Sequence, residues 1–99
     1  MQLPIELDRE RIAEFCRQNR IRKLALFGSV LRDDFGPESD VDVLVDFEPG
    51  QVPSLFRIVD MEMELTEIVG RKVDLRTPED LSRYFRERVI ETAVVQYAA

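Results

Sequence analysis

The chain has 99 residues, 44% hydrophobic and 34% charged, with 14 Lys and Arg against 20 Asp and Glu for a formal charge of −6. That length suits one domain, 1–99, with a modest core burying roughly 60 to 70% of the unfolded surface, and the composition excludes disorder and low complexity. Histidine is absent and Cys16 is the only cysteine, which excludes Ser-His-Asp and Cys-His triads, most zinc sites and any disulfide framework.

The acidic balance works against unaided, stable binding to nucleic acid, whose non-specific affinity comes mainly from neutralised phosphates. It suits a basic partner or a cationic substrate instead. Basic residues gather at Arg17, Arg20, Arg22 and Lys23 and again at Arg83, Arg86 and Arg88, and both groups read as solvated helix ends and faces. No apolar run approaches the ~20 residues of a membrane span. The opening MQLPIELDRE lacks the basic and apolar regions of a secretory leader, so a cytoplasmic chain without membrane association is expected.

In chain order, Asp8 is placed to cap a helix whose apolar positions Ile12, Phe15 and Cys16 follow i, i+3, i+4 spacing and which ends near Arg20. Cys16 falls on the apolar side and reads as a buried structural thiol. KLALFG (23–28) reads as a short buried strand. Ser29 stands where an N-cap belongs, opening a short helix that Gly36-Pro37 stops. VDVLVDF (41–47) alternates, with Val41, Val43, Val45 and Phe47 on one face and Asp42, Leu44 and Asp46 on the other. EPGQVP (48–53) is a loop.

Ser54 caps the longest helix, which runs to Val69 on a stripe of Leu55, Ile58, Met61, Leu65, Ile68 and Val69, with Gly70 as its stop. Glu62 falls inside that stripe and reads as a carboxylate at the rim, paired with an Arg. Met63 lies well off it, an apolar side chain left over for a partner. KVDLR (72–76) is a third strand with Val73 and Leu75 inward and Asp74 on the opposite face. Thr77-Pro78-Glu79-Asp80 starts a helix, continuous or broken, that reaches about Glu91. AVVQYA is compatible with helix or with an edge strand. The fold class is α/β (α+β), a mixed sheet of three to four strands flanked by about four helices.

The chemistry lies in LFGSVLRDDFGPESDVDVLVDF. Asp40 and Asp42 project to the same side of a strand with Cα atoms ~6.6 Å apart, and two such carboxylates raise each other's pKa unless a cation compensates them. Asp74 is a candidate third member. Oxygen ligands without His or Cys select Mg²⁺, with Mn²⁺ as the other choice, and three carboxylates suffice for two ions ~3.5 to 4 Å apart that steer in-line displacement at phosphorus. Gly28 lets a phosphate approach the backbone. Ser29 offers a hydroxyl and the following helix its free N–H groups. Arg32, on the first turn, is within reach of a phosphate oxygen, and Ser39 completes the candidate nucleotide-binding set. Gly28-Ser29 ends one strand where Asp40 begins the next, so the two strands are expected to run antiparallel. Each feature alone is ordinary; together, at this spacing, they point to nucleotidyl transfer.

With its Gly-Ser, spacer, Asp-x-Asp and distant Asp, the sequence resembles the DNA polymerase β-like nucleotidyltransferase superfamily. More closely it resembles the minimal nucleotidyltransferase family, LALFGSVLRDDFGPESDVDVLVDF carrying the signature and GRKVDLRTPEDL the third carboxylate. The resemblance implies a palm-like core with Gly28 and Ser29 at the triphosphate of ATP, Asp40 and Asp42 as metal ligands, and Asp74 as third ligand, assisting deprotonation of the attacking hydroxyl. It further implies an antitoxin that transfers AMP from ATP to a tyrosine hydroxyl of a HEPN-domain ribonuclease toxin. Two alternatives are an antitoxin that acts by binding alone and a transferase acting on an aminoglycoside-type small molecule.

Overall fold

The computed structural model describes residues 4–51 and 53–99. Residues 1–3 of the opening decapeptide and Val52 of the expected 48–53 loop lie outside the described residues. The elements follow one another as α1 (Arg9–Gln18), β1 (Ile21–Phe27), a 3-10 turn (Gly28–Leu31), β2 (Val41–Phe47), α2 (Leu55–Val69), β3 (Val73–Arg76), a second 3-10 turn (Pro78–Asp80), α3 (Arg86–Thr92) and β4 (Val94–Ala98). The strands form one sheet in the order β3-β2-β1-β4. β1 runs antiparallel to β2 and to β4, while β2 and β3 are parallel, joined through α2. The sheet is therefore mixed. No helix among the described residues is long and apolar enough to cross a membrane.

Local chemistry starts and stops these elements. The Asp8 carboxylate accepts the Arg11 N–H at 3.2 Å, and the Ser54 hydroxyl accepts that of Arg57 at the same distance, each satisfying a free donor of a first helical turn. Gly70, with φ +80°, ends α2 and donates its N–H to Thr66 O. Both long helices cover one face of the sheet. Ile12, Phe15 and Cys16 of α1 and Met61 and Leu65 of α2 pack against Leu24, Leu26, Val41, Val43, Val45, Val73 and Leu75. Burial pushes the Cys16 thiol up to about 12, so it is inert packing rather than a nucleophile.

Two expectations are corrected, and two open alternatives are decided. The helix after Ser29 is only a single 3-10 turn: Phe27 holds the cap position without a side-chain bond, and the chain then bends through residues 32–40. Of the two courses open for the helix from Thr77, the broken one is observed: Asp80 accepts the Thr77 N–H and hydroxyl, both at 3.1 Å, as at a helix start, but the chain turns extended at Leu81 and α3 starts only at Arg86. Among the described residues the flanking α-helices number three where about four were expected, and the last segment is an edge strand paired with β1. Among the described residues Glu62 has no arginine partner: its carboxylate accepts the Leu75 N–H at 2.8 Å, and the Thr66 hydroxyl accepts that of Val73 at 3.1 Å. β3 is the other edge of the sheet, so α2 caps donors that no neighbouring strand can reach.

This capping makes a stability prediction. Glu62→Ala orphans the Leu75 donor and should cost about 1–3 kcal/mol, whereas Glu62→Gln keeps an acceptor and should cost clearly less. Urea unfolding of both variants checks it; equal losses would show that Glu62 contributes only packing.

Candidate active site

Phe27, Asp42 and Asp74 lie side by side across three strands, since Phe27 pairs with Asp42 in β1–β2 and Asp42 with Asp74 in β2–β3. The next row holds Ala25, Leu44 and Arg76. Both rows are on the sheet face away from α1 and α2, because the intervening Val41, Val43, Val73 and Leu75 fill the core. Further along that face, Ala25 and Leu44 line a small cleft with Ile90, Ala93 and Val95 from the C-terminal segment. The antiparallel course expected for the strands bearing Gly28 and Asp40 is observed.

Gly28 sits at the turn out of β1 with φ +76°, and a Cβ built there would overlap Asp42 Oδ2. Glycine is required on both counts, conformation and space. The Ser29 backbone N–H lies near enough to the Asp42 carboxylate to favour its charged form. The Ser29 hydroxyl donates to Asp40 O at 3.3 Å. The Gly-Ser turn and the Asp-x-Asp strand are thus fastened to each other directly.

The Asp42 carboxyl is held above the usual carboxylate range, first by burial and then by the charges of Asp74 and Asp40, while the Ser29 N–H and Arg76 act in the opposite direction. Two cations lean on its neighbours. Arg76 binds Asp74 Oδ2 at 3.1 Å, and Lys72 Nζ stands 3.9 Å from Asp40 Oδ2. Among the described residues no group of three His, Cys, Asp or Glu side chains is already gathered as a metal-ligand set. The donor set still fits a hard divalent cation: all-oxygen, acidic, and carrying a carboxylate whose charged form its own neighbours destabilise.

Two expected nucleotide contacts are engaged elsewhere. The Arg32 guanidinium pairs with Asp34 at 3.3 Å, both well exposed, and the Ser39 hydroxyl accepts the Gly36 N–H at 3.0 Å, closing the spacer loop on itself. Sequence reasoning missed Arg71, whose guanidinium donates to Gly36 O and Ser39 O and lies 4.3 Å over the Phe35 ring, holding the spacer just ahead of Asp40. It also missed Lys72 and Arg76. The available signal was their position, since all three flank the VDL segment that carries Asp74.

Residues 9–95 match the nucleotidyltransferase domain family. The chain belongs to that family. Among relatives of this nucleotidyltransferase, protein adenylyltransferase MntA of Thermococcus cleftensis is 35% identical over 74 residues, spanning 75% of this chain and 73% of its own. A solved structure assigned as a minimal nucleotidyltransferase has a TM-score of 0.71 at 30% identity, over 87% of this chain and 86% of that one. A chain from the crystal structure of a toxin–antitoxin with AMP-PNP reaches a TM-score of 0.74 over 94% of this chain and 75% of its own. At 19% identity that likeness shows the shared fold. The resemblance to the minimal nucleotidyltransferases and the mixed-sheet fold expected from it are both borne out.

The strained Asp42 gives a pH prediction. A carboxyl with a raised folded pKa stabilises the fold fully below its unfolded value of ~3.9, and loses that contribution as pH rises through the folded value. Without divalent cations, Asp42→Asn should therefore raise the melting temperature at pH 7, with the gain vanishing below about pH 4. Thermal unfolding across that range decides it; a lower melting temperature at pH 7 would show that the carboxylate is stabilised rather than strained.

Proposed function

We propose that this nucleotidyltransferase is a Mg²⁺-dependent protein adenylyltransferase that moves AMP from ATP to a tyrosine hydroxyl of a HEPN-domain ribonuclease toxin and silences it. The observation that carries the reading is Asp42, packed against the bare Gly28 at the end of β1 and set beside Asp74 on the open face of the sheet. The relative named a protein adenylyltransferase supports the reaction class. The toxin–antitoxin fold neighbour with AMP-PNP is in keeping with a nucleotide substrate and a toxin partner.

In this reading Asp40 and Asp42, with Asp74, hold the cations. When bound, divalent ions neutralise the triphosphate and lower the pKa of a coordinated hydroxyl. Gly28, bare of a side chain, and Ser29 seat the β- and γ-phosphates. The tyrosine oxygen attacks the α-phosphorus, forming one P–O bond as the bond to the β-phosphate oxygen breaks and pyrophosphate leaves. A phenol has a pKa near ~10 and needs a base at neutral pH. Asp74 takes that proton, and the task requires its carboxylate to part from Arg76. No histidine is needed, which agrees with a chain that has none.

The test is intact-mass analysis of the toxin after incubation with ATP and Mg²⁺. Additions in steps of about 329 Da, the mass of one AMP unit joined by metal-assisted transfer, are expected. They should disappear with Asp42→Ala and with phenylalanine in place of the acceptor tyrosine. A toxin that gains no mass, yet is still inhibited by the Asp42→Ala protein, would establish an antitoxin acting by binding alone. Ser29→Ala, which leaves backbone donors in place, should lower kcat/KM by about 10- to 100-fold, the loss of one phosphate contact; an unchanged value would remove the hydroxyl from the site.

A further inference from the structure

Helix α2 carries a second apolar face. Leu55, Phe56, Val59 and Met63 are 77%, 85%, 47% and 65% exposed, while Met61 and Leu65 make the core contacts. Spacing along the helix sets the four in one stripe, flanked on its outer side by the exposed carboxylates of Asp60, Glu64 and Glu67. Leu55 also lines a groove of about 690 Å³ between the loop after β2 and the Pro78 turn. Four carboxylates border that groove, and among the described residues no basic side chain does. Asp46 is bound by Arg22 and Asp80 by Thr77, but Glu48 and Glu79 stand exposed.

We propose that the stripe and groove together dock the acceptor protein, through an amphipathic segment whose apolar face is rimmed by Lys and Arg. The inference rests on the protein-acceptor reading above and gives it a surface. Charge decides the occupant. Apolar side chains supply the contact area, and a carboxylate border in which only Asp46 carries an arginine selects a basic rim and disfavours like charge. A second copy of this chain brings another −6 and, in a two-fold pairing, sets each acidic flank against itself. The groove adjoins Val45–Phe47 at the end of β2, whereas Asp42 lies near its start, ~13 Å from Asp46 by strand rise. A partner seated there leaves Asp42 and Asp74 open to its tyrosine. Affinity and chemistry are therefore separable.

The test uses a HEPN-domain partner with an inactivated ribonuclease site, titrated calorimetrically into the wild-type chain, Phe56→Ser/Met63→Ser and Glu48→Lys/Glu79→Lys, with transfer kinetics measured alongside. Each double variant should bind at least about 10-fold more weakly, as expected for loss of anchors in a docking surface. The KM for the protein acceptor should rise, while the KM for ATP, kcat at saturating acceptor and the melting temperature stay unchanged. Variants that bind as the wild type does, or that lose kcat as well, overturn the docking surface and leave adenylyl transfer standing. A wild-type chain that neither binds nor modifies the partner overturns both readings. Self-association of the wild-type chain that Phe56→Ser/Met63→Ser abolishes would assign the face to a second copy and overturn the proposal.

Discussion

The register of β2 between its two neighbours governs the active end of the molecule. Asp42 stands opposite Phe27 on one side and Asp74 on the other, and strand alternation puts Val41, Val43 and Val45 into the core with essentially no exposure. A slip of one residue would bury the carboxylates and expose the valines. The apolar face thus holds the acidic face together. Free energy from packing the valines under α1 and α2 offsets the repulsion among Asp40, Asp42 and Asp74, which no covalent or helical constraint imposes.

That arrangement explains the cations nearby. Arg76 on Asp74 and Lys72 near Asp40 are half-exposed ion pairs of the kind that contributes little to stability, yet they temper the charge on a face short of counterions. Because such pairs are weak, they are readily exchanged when a stronger cation arrives. Arg71 acts at another level, fixing the spacer loop to the turn before β3 through two backbone carbonyls and the Phe35 ring. The loop that separates the Gly-Ser turn from the Asp-x-Asp strand is consequently tied to the third strand as well.

Much of this was legible in the sequence because it depends on periodicity and on residues with narrow conformational roles. The alternation of VDVLVDF placed Asp42 opposite the core, and Gly28 stood out as a position where a phosphate could approach the backbone; that it also needs a positive φ and leaves its Cβ space to Asp42 depends on the fold. The α2 stripe followed from helical spacing at Ile58, Met61, Leu65, Ile68 and Val69, but not at Leu55, which belongs to the exposed face; the caps at Ser54 and Gly70 followed from residue type. What was not legible depended on tertiary partners. Ser29 looks like an N-cap in isolation, but its hydroxyl is spent on Asp40 O and Phe27 holds the cap position, and the helix it was expected to start is one 3-10 turn. Glu62 looks misplaced on an apolar stripe until β3 is known to be an edge whose Leu75 N–H needs an acceptor. Thr77-Pro78-Glu79-Asp80 carries every mark of a helix start, and the Asp80 side chain does cap it, yet the chain turns extended at Leu81 after a single 3-10 turn.

The placement of metal and nucleotide on the Asp42 row is the claim on which the rest depends. Its most direct test is an amide NMR spectrum of the protein recorded with ATP and trace Mn²⁺, whose unpaired electrons broaden signals only nearby. Selective loss of the Gly28, Ser29, Asp40, Asp42 and Asp74 amides, absent in Asp42→Asn, is the expected result. Broadening centred on another part of the chain, or unchanged in Asp42→Asn, would contradict it.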